Sequence, residues 1–458
     1  MVQPAPSGRR PMKSTRIGIA WGCLLMMSLA AWADPAPAPY RVGRWLPSDR
    51  QTLNQWIDRQ VRAVDSEPAQ DLHPSIREFQ ALIERDPVLF MHFTRMFEQV
   101  PAKPPYLSDP TGRPRIRDYS HMLQVLNHIL TQAPEFNETG LVGFPINAIL
   151  DWPMGTPAGA AAFLDPRVNA QLKKILNQWA VFLSSPESCS VLNDDPKTGW
   201  FGAAARQAMP TFVEDFVCDT NLPHYGFTSW DDFFTRTFRE GRRPVALPDD
   251  DAIVANACES APYRVARDVR LRDTFWIKAQ PYSLAHMLAN DPLAAQFEGA
   301  TVYQAFLSAL SYHRWHSPVS GTIVKTRLID GSYYAEALSE GYDPAGPNDS
   351  QAYITQVAAR ALIFIEADNP AIGLMACLFV GMAEVSSNDI TVHEGQHVEK
   401  GEQLGMFHFG GSTHCLIFQP QVRIQFNLHG QTPGLHTTNI PVRARIATVS
   451  PDAVPDVK

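Results

Sequence analysis

Three short stretches of this chain hold residues that could do chemistry. The first is Gly410-Gly411-Ser412-Thr413, set between apolar, strand-like runs. Two glycines admit a tight, strained turn that a bulkier residue would forbid. A strained Gly411–Ser412 bond is what the Ser412 hydroxyl needs to attack the preceding carbonyl and shift the acyl group from nitrogen to oxygen. Taken alone, Gly-Gly-Ser is also an ordinary loop. The second stretch is Tyr312-His313-Arg314-Trp315-His316-Ser317-Pro318. Histidine is the usual general base for a serine hydroxyl near neutral pH. The plainer alternative is a pair of structural histidines at a helix end. The third is Cys258-Glu259-Ser260, after a strand-like run. Glu259 there could orient a histidine, as in a triad, or be a surface acid. Asp251 and Asp268 are the fallback acids.

The elements that must position these residues divide in two. After Ser48, a candidate N-cap, Leu53, Trp56, Ile57 and Val61 fall on one helical face. Further helices are expected over 74–100, 119–131 and 169–183. His121 and His128 share a face of the third but have no other ligand near, so they read as structural. From about residue 250 the texture changes to short β-branched runs separated by Gly, Pro and Asp, among them Ile253-Val254, Tyr263-Arg264-Val265, Gly321 to Val324, Ala361 to Ile365 and Leu378 to Val380. One helix, over 300–311, is expected to interrupt them. The predicted fold class is α+β. A helical N-terminal domain (48–205) precedes a β-rich catalytic domain (206–458) built on an antiparallel or mixed sheet.

Composition narrows the class. The 458 residues suffice for two or three domains, and 45% hydrophobic with 19% charged residues is typical of a folded protein. A net charge of -8 with no large basic block after the N-terminus argues against nucleic acid as a partner. Residues 1–33 read as a signal peptide. Arg9, Arg10, Lys13 and Arg16 precede an apolar run over 17–29, too short for a comfortable membrane span, and Ala31-Trp32-Ala33 fits a cleavage site. The expected location is therefore periplasmic or secreted. A Pro/Ala-rich linker follows over 34–47. The remaining five cysteines (Cys189, Cys218, Cys258, Cys377, Cys415) form no CxxC pair, so a cysteine zinc site is not expected, and none of the residue patterns calls for a metal. One or two disulfides are open alternatives to buried thiols.

In the order acid, histidine, serine, the three stretches resemble the phosphatidylserine decarboxylase family. Further segments carry the likeness: Ser229-Trp230-Asp231-Asp232-Phe233-Phe234-Thr235-Arg236 followed by Gly241-Arg242-Arg243-Pro244; Lys278 with Tyr282-Ser283-Leu284; the histidine segment from His313 to Gly321; and Lys400-Gly401-Glu402 through to Thr413. They span about residues 210 to 430 in family order. The resemblance implies self-cleavage between Gly411 and Ser412 and conversion of Ser412 into a pyruvoyl group. His316 would be the base that activates Ser412, with His313 assisting in substrate binding or proton transfer. Glu259 would take the place of the usual family aspartate and orient His316. Lys278, Tyr282 and Trp315 would contribute to substrate binding. The pyruvoyl ketone would form a Schiff base with a substrate amine and accept the electrons released as the α-carboxylate departs. No metal is implied.

The resemblance makes phosphatidylserine the default substrate and a lipid or small-molecule amine the expected partner class, with membrane association possible but not required and a homodimer as the implied assembly. The segments Gly140 to Asn147 and Asp151-Trp152-Pro153-Met154 look like the N-terminal extension of a soluble branch that includes fungal tryptophan decarboxylases. That makes a free aromatic L-amino acid the alternative substrate, with Phe275, Trp276, Tyr282 and Trp315 as candidate pocket residues. A serine hydrolase using Ser412, His316 and Glu259 in an uncut chain lacks the Gly-x-Ser-x-Gly elbow. An inactive amine-binding protein would keep the fold without cleavage.

Overall fold

The computed structural model describes residues 51–68, 70–99, 116–137, 145–273, 282–336, 350–384 and 387–450. Residues 1–33 and 34–47, expected as a signal peptide and a linker, Phe275, Trp276, Lys278 and most of the segment from Gly140 to Asn147 lie outside the described residues.

Seven helices open the described chain: α1 (Gln51–Ser66), α2 (Pro74–Arg85), α3 (Pro87–Gln99), α4 (Tyr119–Ile129), α5 (Pro145–Met154), α6 (Pro157–Phe163) and α7 (Pro166–Leu183). The single helix expected over 74–100 is two. Pro87 cannot continue the hydrogen-bond ladder, and the Asp86 carboxylate accepts from the Val88 and Leu89 N–H groups to start α3. Proline opens five of the seven at the position where its missing N–H costs nothing. Ile76, Phe79, Ile83, Phe93, Leu126, Ile175 and Trp179 pack together between the helices, and this core continues into Trp230, Phe233, Phe234, Tyr312 and Phe409 of the C-terminal half.

Thirteen strands follow: β1 (Ile253–Ala255), β2 (Ala261–Val269), β3 (Ala300–Leu307), β4 (Arg314–His316), β5 (Gly321–Ile329), β6 (Arg360–Ala367), β7 (Leu374–Met382), β8 (Asn388–Ile390), β9 (His397–Val398), β10 (Gln403–Phe407), β11 (Gly411–Phe418), β12 (Ile424–Phe426) and β13 (Arg445–Val449). The main sheet has the order β2-β3-β11-β7-β6-β5-β9, and its ladders are antiparallel. Two three-stranded sheets, β1-β13-β12 and β4-β10-β8, complete the β-region.

The helix expected over 300–311 is instead β3, a central strand whose residues Ala300 to Leu307 are all buried. A continuous apolar run of this length carries no period that separates strand from helix. Burial on both faces decides it: Tyr303, Ala305 and Leu307 face one core and Val302 and Phe306 the other. The five cysteines named above are all free. No helix among the described residues is long and apolar enough to cross a membrane.

The small sheet is clamped to the main one by an aromatic contact. Trp315 of β4 stacks on Phe379 of β7 with centroids 4.2 Å apart and planes at 3°, and Phe407 of β10 meets Trp315 edge-on. Gly405 makes the approach possible, because a Cβ there would lie 2.8 Å from the Trp315 ring and 2.2 Å from the Asp389 carbonyl oxygen. Gly405→Val is expected to lower stability by about 1–3 kcal/mol, the range for overpacking, read from the urea unfolding midpoint. An unchanged midpoint would show that the clamp is loose.

Candidate active site

Ser412 is the second residue of β11, an interior strand. It pairs with Leu307 of β3 on one side and Gly381 of β7 on the other. Gly410, just before the strand, has φ 137°, which glycine adopts without strain from a Cβ. The Ser412 hydroxyl is fully buried and has no hydrogen-bond partner. A buried hydroxyl left unpaired costs about 1–3 kcal/mol, so its retention calls for an explanation.

Strand alternation sets its surroundings. His414 and Leu416 share the Ser412 face, which meets Phe379 and Trp315; Thr413, Cys415 and Ile417 point the other way. On that opposite face Thr413 is pinned. Tyr282 donates to Gln304 Oε1, Gln304 Nε2 donates to Thr413 Oγ1 (2.9 Å), and Thr413 donates to the Ala305 carbonyl (2.9 Å). This chain of bonds fixes the register of β11 and with it the place of Ser412. Tyr282, expected in substrate binding, is therefore on the far face of the sheet from the Ser412 hydroxyl. Trp315, expected in the same role, is fully buried in the inter-sheet clamp. The two-sided burial of the sheet sets both positions.

The two histidines lie in different settings. His313 directly precedes β4, the strand in which Trp315 is turned toward β7; its aromatic neighbour belongs to the core shared with the helices. Its ring stacks on Phe234 at 3.8 Å, and neither nitrogen makes a hydrogen bond of good geometry. Burial drives its pKa well below the usual imidazole range, the Arg236 guanidinium adds to this, and the nearby Ser308 backbone opposes it. His316 points the other way from Trp315 by strand alternation. Tyr312 Oη lies 2.9 Å from its Nε2, and the Gly401 carbonyl oxygen lies 2.9 Å from its Nδ1. Arg443 reaches both the Gly401 oxygen (3.0 Å) and Nδ1 (3.1 Å). Burial and then Arg443 lower the His316 pKa to about 3. Ser412 and His316 are not hydrogen-bonded to each other.

Glu259 does not orient His316 by direct contact. Its carboxylate accepts from Arg243 (2.8 and 3.1 Å) and from the Val442 N–H (2.8 Å). The guanidinium offers two donors and a full charge, which a neutral imidazole cannot match. The two groups are linked one step removed, since Val442 holds Glu259 and its neighbour Arg443 holds His316. Asp251 and Asp268 are exposed on the surface.

Residues that sequence reasoning did not single out are Tyr312, Arg443, Arg243, Gln304 and Glu384. Tyr312 stood inside the histidine stretch, and its place beside His313 was the available signal. Arg443 lies beyond the family-like motifs. Among the described residues no cluster of histidine, cysteine and carboxylates is arranged to hold a metal ion. A pyruvoyl group at position 412 fits what is present: an unpartnered buried hydroxyl after two glycines, in an apolar layer.

Two family models match the chain, both described as phosphatidylserine decarboxylase, one over residues 73–209 and the other over 230–433. An L-tryptophan decarboxylase of Psilocybe cubensis is 38% identical over 424 residues, which cover 87% of this chain and 93% of that one. The chain belongs to the phosphatidylserine decarboxylase family. It is a decarboxylase, a carboxy-lyase. Decarboxylase iboD of Amanita muscaria is 44% identical over 302 residues, covering 62% of this chain and 86% of its own. Phosphatidylserine decarboxylase proenzyme 3 of Schizosaccharomyces pombe is 31% identical over 205 residues, 44% of this chain but only 20% of that protein.

Two stability tests follow from this family member's site. His313, His316 and His414 are buried and neutral, the last with its pKa lowered to about 3 by burial. Each binds a proton more readily in the unfolded chain than in the folded one. Stability is therefore full above the ordinary imidazole value of about 6.5 and falls as pH drops below it, by at most about 1.4 kcal/mol per pH unit per group. Chemical denaturation at pH 7.5 and pH 5 checks this, and equal midpoints would refute it. Arg243→Ala is expected to lose about 2 kcal/mol by leaving Glu259 without its charged donor, measured by the same unfolding assay. A loss near zero would mean that Glu259 is satisfied by other groups.

Proposed function

We propose that this chain cleaves itself at Gly411–Ser412, carries a pyruvoyl group at position 412, and decarboxylates a free aromatic L-amino acid. The observation that carries the cleavage step is the unpartnered Ser412 hydroxyl, held at the start of an interior strand behind Gly410 and Gly411. What supports the substrate is that two relatives aligned over more than four-fifths of both chains are named L-tryptophan decarboxylases. Phosphatidylserine, the default from the motifs, is named for relatives that align with 44% to 58% of this chain.

In this reading Ser412 supplies the attacking hydroxyl. Its lack of a partner leaves the lone pairs free, and the dry surroundings keep water from competing for the Gly411 carbonyl. His313, just before β4, and His316, joined to Tyr312, are the imidazoles that this reading assigns to handle its proton. Both are neutral near pH 7 because burial holds their pKa values low, so each would act as a weak base. Tyr312 and the Gly401 carbonyl hold the His316 ring in one orientation. The Tyr282–Gln304–Thr413 chain keeps Ser412 in place from behind. A pyruvoyl group would supply a carbonyl that condenses with the substrate amine and takes up the electrons left by departing carbon dioxide. The basic and apolar N-terminal segment supports export as part of the same proposal, and a mature chain starting at Asp34 would test it.

The deciding experiment is the intact mass of the denatured protein beside Ser412→Ala, with carbon dioxide release from tryptophan and from phosphatidylserine vesicles. Wild type is expected as two chains parted at 411/412, the smaller blocked by a pyruvoyl group and releasing carbon dioxide from tryptophan. Ser412→Ala is expected as one inert chain. A single uncut wild-type chain would refute the mechanism. Release from the vesicles alone would refute the substrate.

A further inference from the structure

Beside the Ser412 strand lies a cavity of about 240 Å³ whose lining includes Trp179, Glu384, His408 and Phe409. The apolar side of α7, with Leu176, Ala180 and Leu183, forms one wall. Trp179 and Phe409 meet edge to face at 4.7 Å, giving an aromatic corner. The volume is below that of ordinary drug-sized pockets, so it suits one small ring system rather than a diacyl chain.

Two of its lining residues, Glu384 and Phe409, lie a few residues from the Ser412 ladder. Gly381 pairs with Ser412 and Met382 with Gly411, so Glu384 follows two residues after the last paired residue of β7 and Phe409 precedes β11 by two. Gly381 lies opposite Ser412 and the chain turns at Ala383 (φ 56°) before Glu384, so the two backbones lie within roughly 15 Å, a separation that the Glu384 side chain and an amino acid joined at 412 by its amine could bridge together.

Glu384 is the unusual member of this lining. It is buried (2% exposed), and its Oε1 accepts from the Asn147 N–H (2.8 Å) in the first turn of α5. Its Oε2 has no partner. Capping α5 accounts for one oxygen only. The His408–Asp231 ion pair (3.0 Å) at the same cavity is already self-satisfied, so it does not need a ligand.

We infer that this cavity receives the aromatic side chain of the substrate, with Glu384 Oε2 accepting a hydrogen bond from a ring N–H. The inference rests on the proposed free amino-acid substrate and adds the group that selects among such substrates. An indole offers one donor and no acceptor, which matches a lone acceptor at the end of an aromatic slot. Burial pushes the Glu384 carboxyl up to about 8, against the backbone groups of Asn147, Glu384 and Ile146, so it is mostly protonated near pH 7 and a ring N–H at Oε2 would favour its ionised form. A phenylalanine ring would fill the slot and leave the oxygen unpaired, which is how a polar group in an apolar pocket discriminates.

The test compares tryptophan with 3-benzothienyl-alanine, its isostere with sulfur in place of the ring N–H, using the purified, self-cleaved full chain. Wild type is expected to favour tryptophan in kcat/KM by about 3- to 10-fold, the worth of an ordinary hydrogen bond. Glu384→Leu is expected to bring the ratio near one by losing tryptophan activity, and Glu384→Gln, which keeps an acceptor, to hold an intermediate ratio. A wild-type ratio near one overturns the assignment whether or not Glu384→Leu folds. So does an unchanged ratio in a cleaved Glu384→Leu or Glu384→Gln. In either case tryptophan turnover would leave the proposed function standing. No release of carbon dioxide from any free aromatic amino acid overturns both together.

Discussion

A hydroxyl held dry and unpaired inside a sheet is the constraint around which this protein is built. Ser412 cannot find water, because β11 is flanked by β3 and β7 and both faces of the sheet are packed. Nor can it slide, since a slip of one residue would exchange Ser412 and His414 for Thr413 and Cys415 on every contact. The Tyr282–Gln304–Thr413 chain opposes that slip from the far face, and the Trp315–Phe379 clamp closes the near face. The stability given up by leaving the hydroxyl unpaired is offset by the surrounding apolar burial.

Neutral polar groups recur in this layer for the same reason. His313, His316 and His414 are all forced below their ordinary protonation range by burial, so the region holds imidazoles that stay neutral. The nearby charges are paired outside the layer, Glu259 with Arg243 and Asp231 with His408. Charge is thus arranged around the serine, not upon it. The helical half takes part as well, because α7 supplies Trp179 against Phe409 and the first turn of α5 holds Glu384. The N-terminal helices are in this sense walls of the site.

The sequence by itself determined the class of elements, the Gly-Gly-Ser-Thr motif and the family likeness. Glycines at 410 and 411, histidines three apart and the apolar runs around them are local signals that survive without a structure. It also marked the change from helical to β texture near residue 250. It misplaced β3, since a strand buried on both faces has no two-residue alternation to read. It also joined α2 to α3, where the Asp86-Pro87 break was legible and outweighed by the apolar spacing across it.

Only the tertiary structure decided which groups meet. Glu259 looked like the partner of His316, and a guanidinium 16 residues upstream in the chain claimed it instead. Tyr282 and Trp315 looked like pocket residues, and the faces of one sheet separated the first from Ser412 and buried the second. Glu384 carried no sequence signal, because its meaning depends on α5, far back in the chain, and on Phe409 just ahead of the cleavage motif. Spacing along a chain records which chemistry is available. Whether two side chains share a face, a layer or a cavity depends on strand register and long-range packing, and those are set only when the whole sheet closes.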